Sequence, residues 1–435
     1  MAPLDLQVEN ASHHQIFEKL SKLAHTCNED QRLWWHSVGP MIAEMLNTAN
    51  YDASSQYKQL HIFLKYVIPF LGVYPTNSHD RWMSIINTYG SPIEPGLNCN
   101  DSAVKYSFEP INNLTGTTAD PFNTHAVWDA IKGLVSLDPT IDTEYFRYFK
   151  NELTLNETES NLLRDKHLAP TDIMSQNILA LDLKGDKFKV KVYFYAALKA
   201  LVTGKSVNEL MFGSVRMLAK RQANIAAGLD MLEEYIDSRA PDGNLFPRLL
   251  SCDLLKPTKS RIKIYVSEQV VSLAAISDMW TLGGRRADPT TLAGLDLIQE
   301  LWELLKIPEG VRKYPKGYQP LGSSSNELLP TMANYTLHPD HAVPMPQIYF
   351  WVFGMNDMAI ADALTIFFQR HGWTEMAKKY KNSLKAYYPN EEHDHMNYVH
   401  ASISFSYRKN KPYLSVYYHS FETGDWASNK YNCSN

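Results

Sequence analysis

Cysteine is scarce in this sequence. Its 435 residues hold four, Cys27, Cys99, Cys252 and Cys433, and no two of them form a CxxC pair. That excludes a thiolate metal finger or a disulfide scaffold and fits a reducing compartment. Apolar runs of membrane-spanning length are absent as well. The start, MAPLDLQVENASHHQIFEKL, has no basic segment leading into an apolar one, so a cytosolic chain without a signal peptide is expected. Positive charge is not in surplus: the formal net charge is −5, which argues against a nucleic-acid partner. No Gly/Ser-rich linker or low-complexity run divides the chain, and one domain over residues 1–435 is expected. Common chemical signatures are missing too. There is no DDxxD to hold magnesium on a diphosphate, no GxGxxG and no GxSxG. Gly204-Lys205-Ser206 looks like the end of a phosphate loop, but position 199 is lysine where that loop needs glycine. His393, His395 and His400 lack metal-site spacing and read as a solvated loop. Gly283-Gly284-Arg285-Arg286 reads as a helix C-terminal turn.

Tyrosine is plentiful, with 25 in the chain. The first ~75 residues read as helical, from the apolar spacing of LWWHSVGPMIAEML and HIFLKYVIPFLGVYP. A second clear stripe runs through Leu292, Leu295, Ile298, Leu301, Trp302 and Leu305. Asn356 or Asp357 is placed to cap a helix that Gly372 ends. Between the helices lie short alternating segments rich in β-branched and aromatic residues: 103–110, 188–195, 261–268, 346–353, 402–408 and 413–419. KNKP at 409–412 reads as the loop of a hairpin. Strand pairs that recur with helices between them imply an α/β chain closing into a barrel or a large antiparallel sheet.

Residues two apart on a strand share a face. Arg261, Lys263 and Tyr265 therefore point one way, as do Lys191, Tyr193 and Tyr195, Gln347 and Tyr349, and Tyr413 and Tyr417. Lys105 and Arg408 sit on further strands. The opposite faces are apolar, as at Ile262, Ile264 and Val266. One such strand alone is ordinarily a solvated sheet face. Five together imply a barrel with a polar lumen and an outer coat of helices. Five cations in one lumen repel each other unless an anion sits among them, and a diphosphate suits them. Tyrosine faces suit a carbocation, at ~0.5–2 kcal/mol for each desolvated contact. Basic groups for a departing diphosphate beside tyrosines for an allyl cation describe a prenyl-transfer site.

At this point SQNILALDLK, ALKALVTGK, SRIKIYVSEQ, WTLGGRR, FGMNDMAIADALT, ISFSYRKNKPYLSVYY and SFETGDW resemble the dimethylallyltryptophan synthase family of indole prenyltransferases, in its ergot-alkaloid branch. The resemblance implies the ABBA prenyltransferase barrel, ten antiparallel strands around a polar lumen with an outer ring of helices. It implies dimethylallyl transfer to an indole with no metal or other cofactor. By the same resemblance Lys105, Lys191, Arg261, Lys263, Gln347, Arg408 and Tyr413 bind the diphosphate. Tyr193, Tyr265, Tyr349 and Tyr417 shield the cation, and Glu94 is the catalytic acceptor of the indole N–H. Ile85, Ile86, Ile178, Tyr195, Arg248 and Ser402 are assigned to the aromatic-substrate pocket.

Three departures from the family pattern bear on the acceptor. Lys105 stands where the family has arginine, keeping charge but losing the bidentate fork. Ser402 replaces a shield tyrosine. Ile178 replaces the lysine proposed to take the C4 proton of tryptophan. These changes favour a larger, more apolar indole already substituted at C4, and the expected reaction is reverse prenylation of fumigaclavine A at indole C2. Tryptophan, a tryptophan-containing cyclic dipeptide and a non-catalytic phosphate-binding barrel are the alternatives. Self-association into a homodimer stays open.

Overall fold

The alternation of polar and apolar residues becomes two faces of one closed sheet. In the computed structural model of the chain, residues 12–75, 82–86, 90–165, 174–314 and 329–420 are described. The strands are β1 (Ile93–Asn98), β2 (Ala103–Phe108), β3 (Asn177–Lys184), β4 (Lys187–Phe194), β5 (Leu245–Asp253), β6 (Ile262–Glu268), β7 (Val270–Val271), β8 (Gly310–Val311), β9 (Thr331–His338), β10 (His341–Trp351), β11 (His400–Arg408) and β12 (Lys411–Tyr418). Ten of them close a barrel in the order β1-β12-β11-β10-β9-β6-β5-β4-β3-β2, and β7 pairs with β8 as a separate ribbon. Every barrel pairing is antiparallel.

Among the described residues thirteen α-helices accompany the barrel: α1 (His13–Leu23), α2 (Glu29–Thr48), α3 (Ala53–Ile62), α4 (Ala126–Leu137), α5 (Glu144–Leu153), α6 (Glu157–Asp165), α7 (Ala197–Thr203), α8 (Val207–Ala219), α9 (Ala223–Arg239), α10 (Leu273–Thr281), α11 (Pro289–Leu305), α12 (Asp357–Arg370) and α13 (Thr374–Tyr387). The helical reading of the first ~75 residues holds through Phe70 over the described part, although α-helix gives way to a π-helical segment at Phe63–Val67 and a 3-10 turn at Ile68–Phe70. Capping boxes start α2 (Asn28 with Gln31) and α8 (Ser206 with Glu209). Gly204-Lys205-Ser206 is the turn between α7 and α8, with Gly204 left-handed and Ser206 as the cap. Asn356, not Asp357, caps α12. The Gly283-Gly284 turn does end α10, with the Gly283 amide bonded to the Asp278 carbonyl at 2.9 Å.

The hydrophobic core lies between barrel and helices. Ile262, Ile264, Leu337, Ile348, Phe350, Ile403, Phe405, Leu414 and Val416 are all 1% exposed or less and meet the apolar stripes of the coat. At Gly294 on α11 an added Cβ would lie 2.5 Å from Trp280 and 2.8 Å from Tyr407, so only glycine lets that helix approach β11 so closely. Four barrel strands fall outside the segments picked out by alternation: β1, β3, β5 and β9. The runs around β1, β3 and β5, IEPGLN, NILALDLK and LFPRLLSCD, mix proline, glycine or continuous apolar residues, which hides the period, whereas in TMANYTLH of β9 Ala333, Tyr335 and Leu337 do alternate with polar residues. The histidine segment divides: His393 and His395 form a short surface turn, whereas His400 is fully buried on β11, so for His400 the solvated-loop reading was wrong. Its Nδ1 lies 2.7 Å from Asp357, and its Nε2 lies 2.9 Å from the Tyr380 hydroxyl.

Candidate active site

Register carries the expected residues to one cavity. Gly96 pairs with both Lys105 and Tyr417; Ala180 pairs with Lys191, which pairs with Asp253; Ser251 pairs with Lys263; Asn334 pairs with both Tyr265 and Gln347. The result is a cavity of about 830 Å³ at one end of the lumen. Its walls include Lys105, Lys191, Arg261, Lys263, Gln347, Arg408 and Tyr413, with Tyr193, Tyr265, Tyr349 and Tyr417 beyond them. Gly96 is part of this geometry: an added Cβ would meet Tyr417 Cδ1 and the Val416 carbonyl at 3.1 Å. Its absence lets the Lys105 ammonium reach the Tyr417 hydroxyl at 2.9 Å and lie 4.4 Å from the ring centre.

Sequence reasoning missed the counter-charges. Mutual repulsion among five cations implied that only a bound anion could hold them together. Instead, two carboxylates stand inside the cluster. Asp182 pairs with Lys191, and Asp253 takes a bidentate contact from Arg261 at 2.6 and 3.0 Å. Burial alone would raise Asp182, but Lys191 and then Lys105 hold it well below the ordinary carboxylate range. Burial lowers Lys105 to about 8 against the opposing pull of Asp182, Cys99 and Glu94. Lys263 is pushed well down by burial and by Arg261 and Lys191. Among these seven groups, five cations against two carboxylates leave a positive balance when all are ionised, which suits an anionic diphosphate. Asp182 was within sight of a period-two argument, since it follows Ile178 and Ala180 on one face of β3.

Next to the basic cluster the tyrosine rings form an arc. Successive centroids lie 5.8 Å (Tyr193–Tyr265), 6.1 Å (Tyr265–Tyr349) and 6.1 Å (Tyr349–Tyr417) apart. Second contacts fix the rings: Asn334 donates to the Tyr349 hydroxyl at 3.0 Å and to Gln347 at 3.1 Å, and Gln347 donates to Ser404 at 2.9 Å. Arg408 stacks at 4.4 Å on Tyr413. The arc stops at Tyr417. Ser402, on β11 between the strands of Tyr349 and Tyr417, pairs with Tyr417 and is small, beside a register shift between His400 and Ser402.

The strand ends beyond the arc carry the remaining expected residues. Glu94 is on β1 opposite Ser107, and burial, only partly offset by Lys105, pushes its carboxyl up to about 8. Ile178, 4% exposed, pairs with Tyr193. Tyr195 joins a cluster with Leu249, Tyr265 and Met332. Arg248 sits at a register shift in β5, a bulge that re-aims a side chain. Its guanidinium stacks 4.0 Å from Tyr314, whose hydroxyl is 2.8 Å from Ser267. Tyr314 and Met332 had no sequence signal, because neither belongs to a recognisable motif. Ile85 and Ile86 form a turn at this same end, where the Ile85 amide donates to Ser175 at 3.3 Å. The SFETGDW stretch lies, beyond Ser420, outside the described residues. Among the described residues one group could hold an ion, His13, His14 and Glu44 on α1 and α2, outside the barrel; Glu44 already pairs with His13 at 2.7 Å. No described helix is long and apolar enough to cross a membrane.

A closed antiparallel barrel whose lumen joins a basic cavity to a tyrosine arc and an aromatic-lined end is the architecture of an aromatic prenyltransferase. Solved structures agree. The chain superposes on AnaPT from Neosartorya fischeri with a TM-score of 0.82 at 29% identity, covering 93% of this chain and 98% of that one. It matches NotF in complex with brevianamide F and DMSPP with a TM-score of 0.81 at 30% identity, covering 94% and 99%. In sequence it is 55% identical to tryptophan dimethylallyltransferase 1 of Epichloe coenophiala over 95% of this chain and 94% of the relative. It is 52% identical to the tryptophan dimethylallyltransferase of Arthroderma otae over 97% and 94%. The tryptophan dimethylallyltransferase family profile matches residues 30–383. The chain belongs to that family, the dimethylallyltryptophan synthases, and is an indole prenyltransferase.

Proposed function

We propose that this enzyme transfers a dimethylallyl group from dimethylallyl diphosphate to C2 of a C4-substituted ergot-type indole, fumigaclavine A, in the reverse sense. The observation that carries the acceptor reading is what stands beside the two end rings of the arc: Ser402, small, pairs with Tyr417, and Ile178, apolar, pairs with Tyr193. In this reading Lys105, Lys191, Arg261, Lys263, Gln347, Arg408 and Tyr413 bind the diphosphate. The C1–O bond breaks, the diphosphate leaves with the electron pair, and the cluster stabilises it without a metal. Tyr193, Tyr265, Tyr349 and Tyr417 face the allyl cation and exclude water. Glu94 accepts the indole N–H. The tertiary allyl carbon bonds to C2, and the C2 proton passes to Glu94 or to water, restoring aromaticity. Ile85, Ile86, Tyr195 and Arg248 shape the acceptor's end of the lumen.

A second reading, tryptophan as acceptor, is favoured by the names of the relatives at 52–55% identity and by Arg248, a cation suited to a carboxylate. Against it stands Ile178, which cannot take a proton from C4. A panel of tryptophan, a tryptophan-containing cyclic dipeptide and fumigaclavine A, each with dimethylallyl diphosphate and with products solved by NMR, separates them. Efficient turnover of tryptophan with C4 substitution, and none of the clavine, would refute the first reading. The expected cytosolic location rests on the sequence reading alone.

A further inference from the structure

Glu109 takes no part in the site as described, yet its surroundings are unusual. It follows the last residue of β2 and is fully buried. Its carboxylate oxygens accept from the Ser175 hydroxyl at 2.6 Å, the Trp82 indole N–H at 2.8 Å and the Asn123 amide at 3.3 Å, with the Ser84 hydroxyl as a further donor. All these donors are neutral. Burying a carboxylate among neutral groups is costly unless its lone pairs are filled, and a neutral amide would serve simple cohesion with less desolvation.

The four donors come from three segments, 82–86, the loop at Asn123 and the approach to β3, near the acceptor's end of the barrel. Ser175 lies just ahead of β3 and Ile178. Its hydroxyl oxygen in turn accepts the Ile85 amide at 3.3 Å. Ser84 accepts the Ile86 amide at 3.3 Å, and the Ser84 amide donates to the Gly90 carbonyl at 3.2 Å. The Glu109 amide donates at 2.9 Å to the carbonyl of Pro92, two residues before Glu94. Glu109 thus ties the turn carrying Ile85 and Ile86 to the entrance of β3 through its carboxylate and to the entrance of β1 through its backbone amide. We propose that Glu109 is a positioning residue for the acceptor: through Ser175 and Ser84 it fixes the Ile85–Ile86 turn at the open end of the lumen and so sets how the indole lies relative to the allyl cation. The proposal rests on the reading of this end as the acceptor pocket. Dimethylallyl diphosphate binds at the other end and does not depend on Glu109.

The test uses the full-length enzyme with Glu109→Gln and Ser175→Ala. The second variant cuts only the link between the carboxylate and the Ile85 amide, and it carries the test if the first does not fold. With whichever indole the wild type turns over, KM for the acceptor should rise roughly tenfold and minor regioisomers should appear, while KM for dimethylallyl diphosphate moves less than about twofold. Hydrogen exchange supplies a readout free of catalysis: the 82–86 backbone should lose protection in both variants while β4, β5 and β6 keep theirs. Folded variants with unchanged acceptor KM and a single product overturn the proposal. So does unchanged protection of residues 82–86, whether or not any indole is accepted. Loss of protection in a protein that prenylates no indole would instead count against the pocket assignment and leave the positioning link standing.

Discussion

Replacing Glu94 by glutamine tests the central electrostatic contact, and its size can be worked out. The substitution keeps shape and an acceptor oxygen but removes the charge. A hydrogen bond to an ionised acceptor contributes about 1.5–3 kcal/mol, against about 0.5–1.5 for a neutral one, so the loss is roughly 1–2 kcal/mol, or ~5- to 30-fold in kcat/KM. That full loss applies only where the wild-type carboxyl is ionised. Burial pushes Glu94 up to about 8, so at pH 7 only about a tenth of the empty enzyme carries the charge, and ionising it costs about 1.4 kcal/mol. The sign follows: wild-type kcat/KM climbs as pH rises through about 8, and the wild-type to Glu94→Gln ratio widens from near unity at about pH 6.5 to its full value at about pH 9. Lys105, also near 8, loses its proton over the same range. It adds a falling alkaline limb to both proteins, and the pair titrates jointly. The assay is initial-rate kinetics across pH with saturating dimethylallyl diphosphate, on enzyme whose circular dichroism is unchanged. A ratio that stays near unity, or one that is large and independent of pH, would refute the assigned role of Glu94.

Combining Ile178→Lys with Ser402→Tyr should shift the kcat/KM ratio toward tryptophan over the clavine by at least about tenfold; an unchanged ratio in the indole panel removes both residues from acceptor choice. If lysine and arginine side chains neutralise the diphosphate as proposed, EDTA should leave the rate within about twofold; complete loss restored by magnesium contradicts this. Asp357→Ala should destabilise the fold by roughly 2–5 kcal/mol in urea titration. This fully buried carboxylate accepts the amides of Tyr398, Val399 and His400 and the His400 ring, at 2.7–3.2 Å. A change under about 1 kcal/mol would show that the network is dispensable.

Period-two alternation made six of the ten barrel strands legible. Where a strand has one polar and one apolar face, as at Arg261–Glu268 or Lys187–Tyr195, facing follows from local geometry alone, and with it the lumen placement of lysines, arginines and tyrosines. The strands that broke the pattern were β1, with its proline and glycine, and β3 and β5, whose runs are apolar or interrupted; β9 alternates over residues 333–338 but was not picked out. Their place became visible only through pairing with neighbours. The resemblance to known prenyltransferases supplied Glu94, Ile178, Arg248 and Ser402, none of which alternation could have singled out.

By itself, then, the sequence determined which residues share a face and how much positive charge the lumen would hold, because both depend on spacing and side-chain chemistry. Only the closed tertiary structure decided what lies opposite each of them. Asp182 and Asp253 met the cations, the four rings closed to about 6 Å of one another, Tyr314 came to rest on Arg248, and Glu109 gathered donors from distant segments. Those are distances between residues far apart in the chain, fixed by strand register and barrel closure, and no local pattern encodes them.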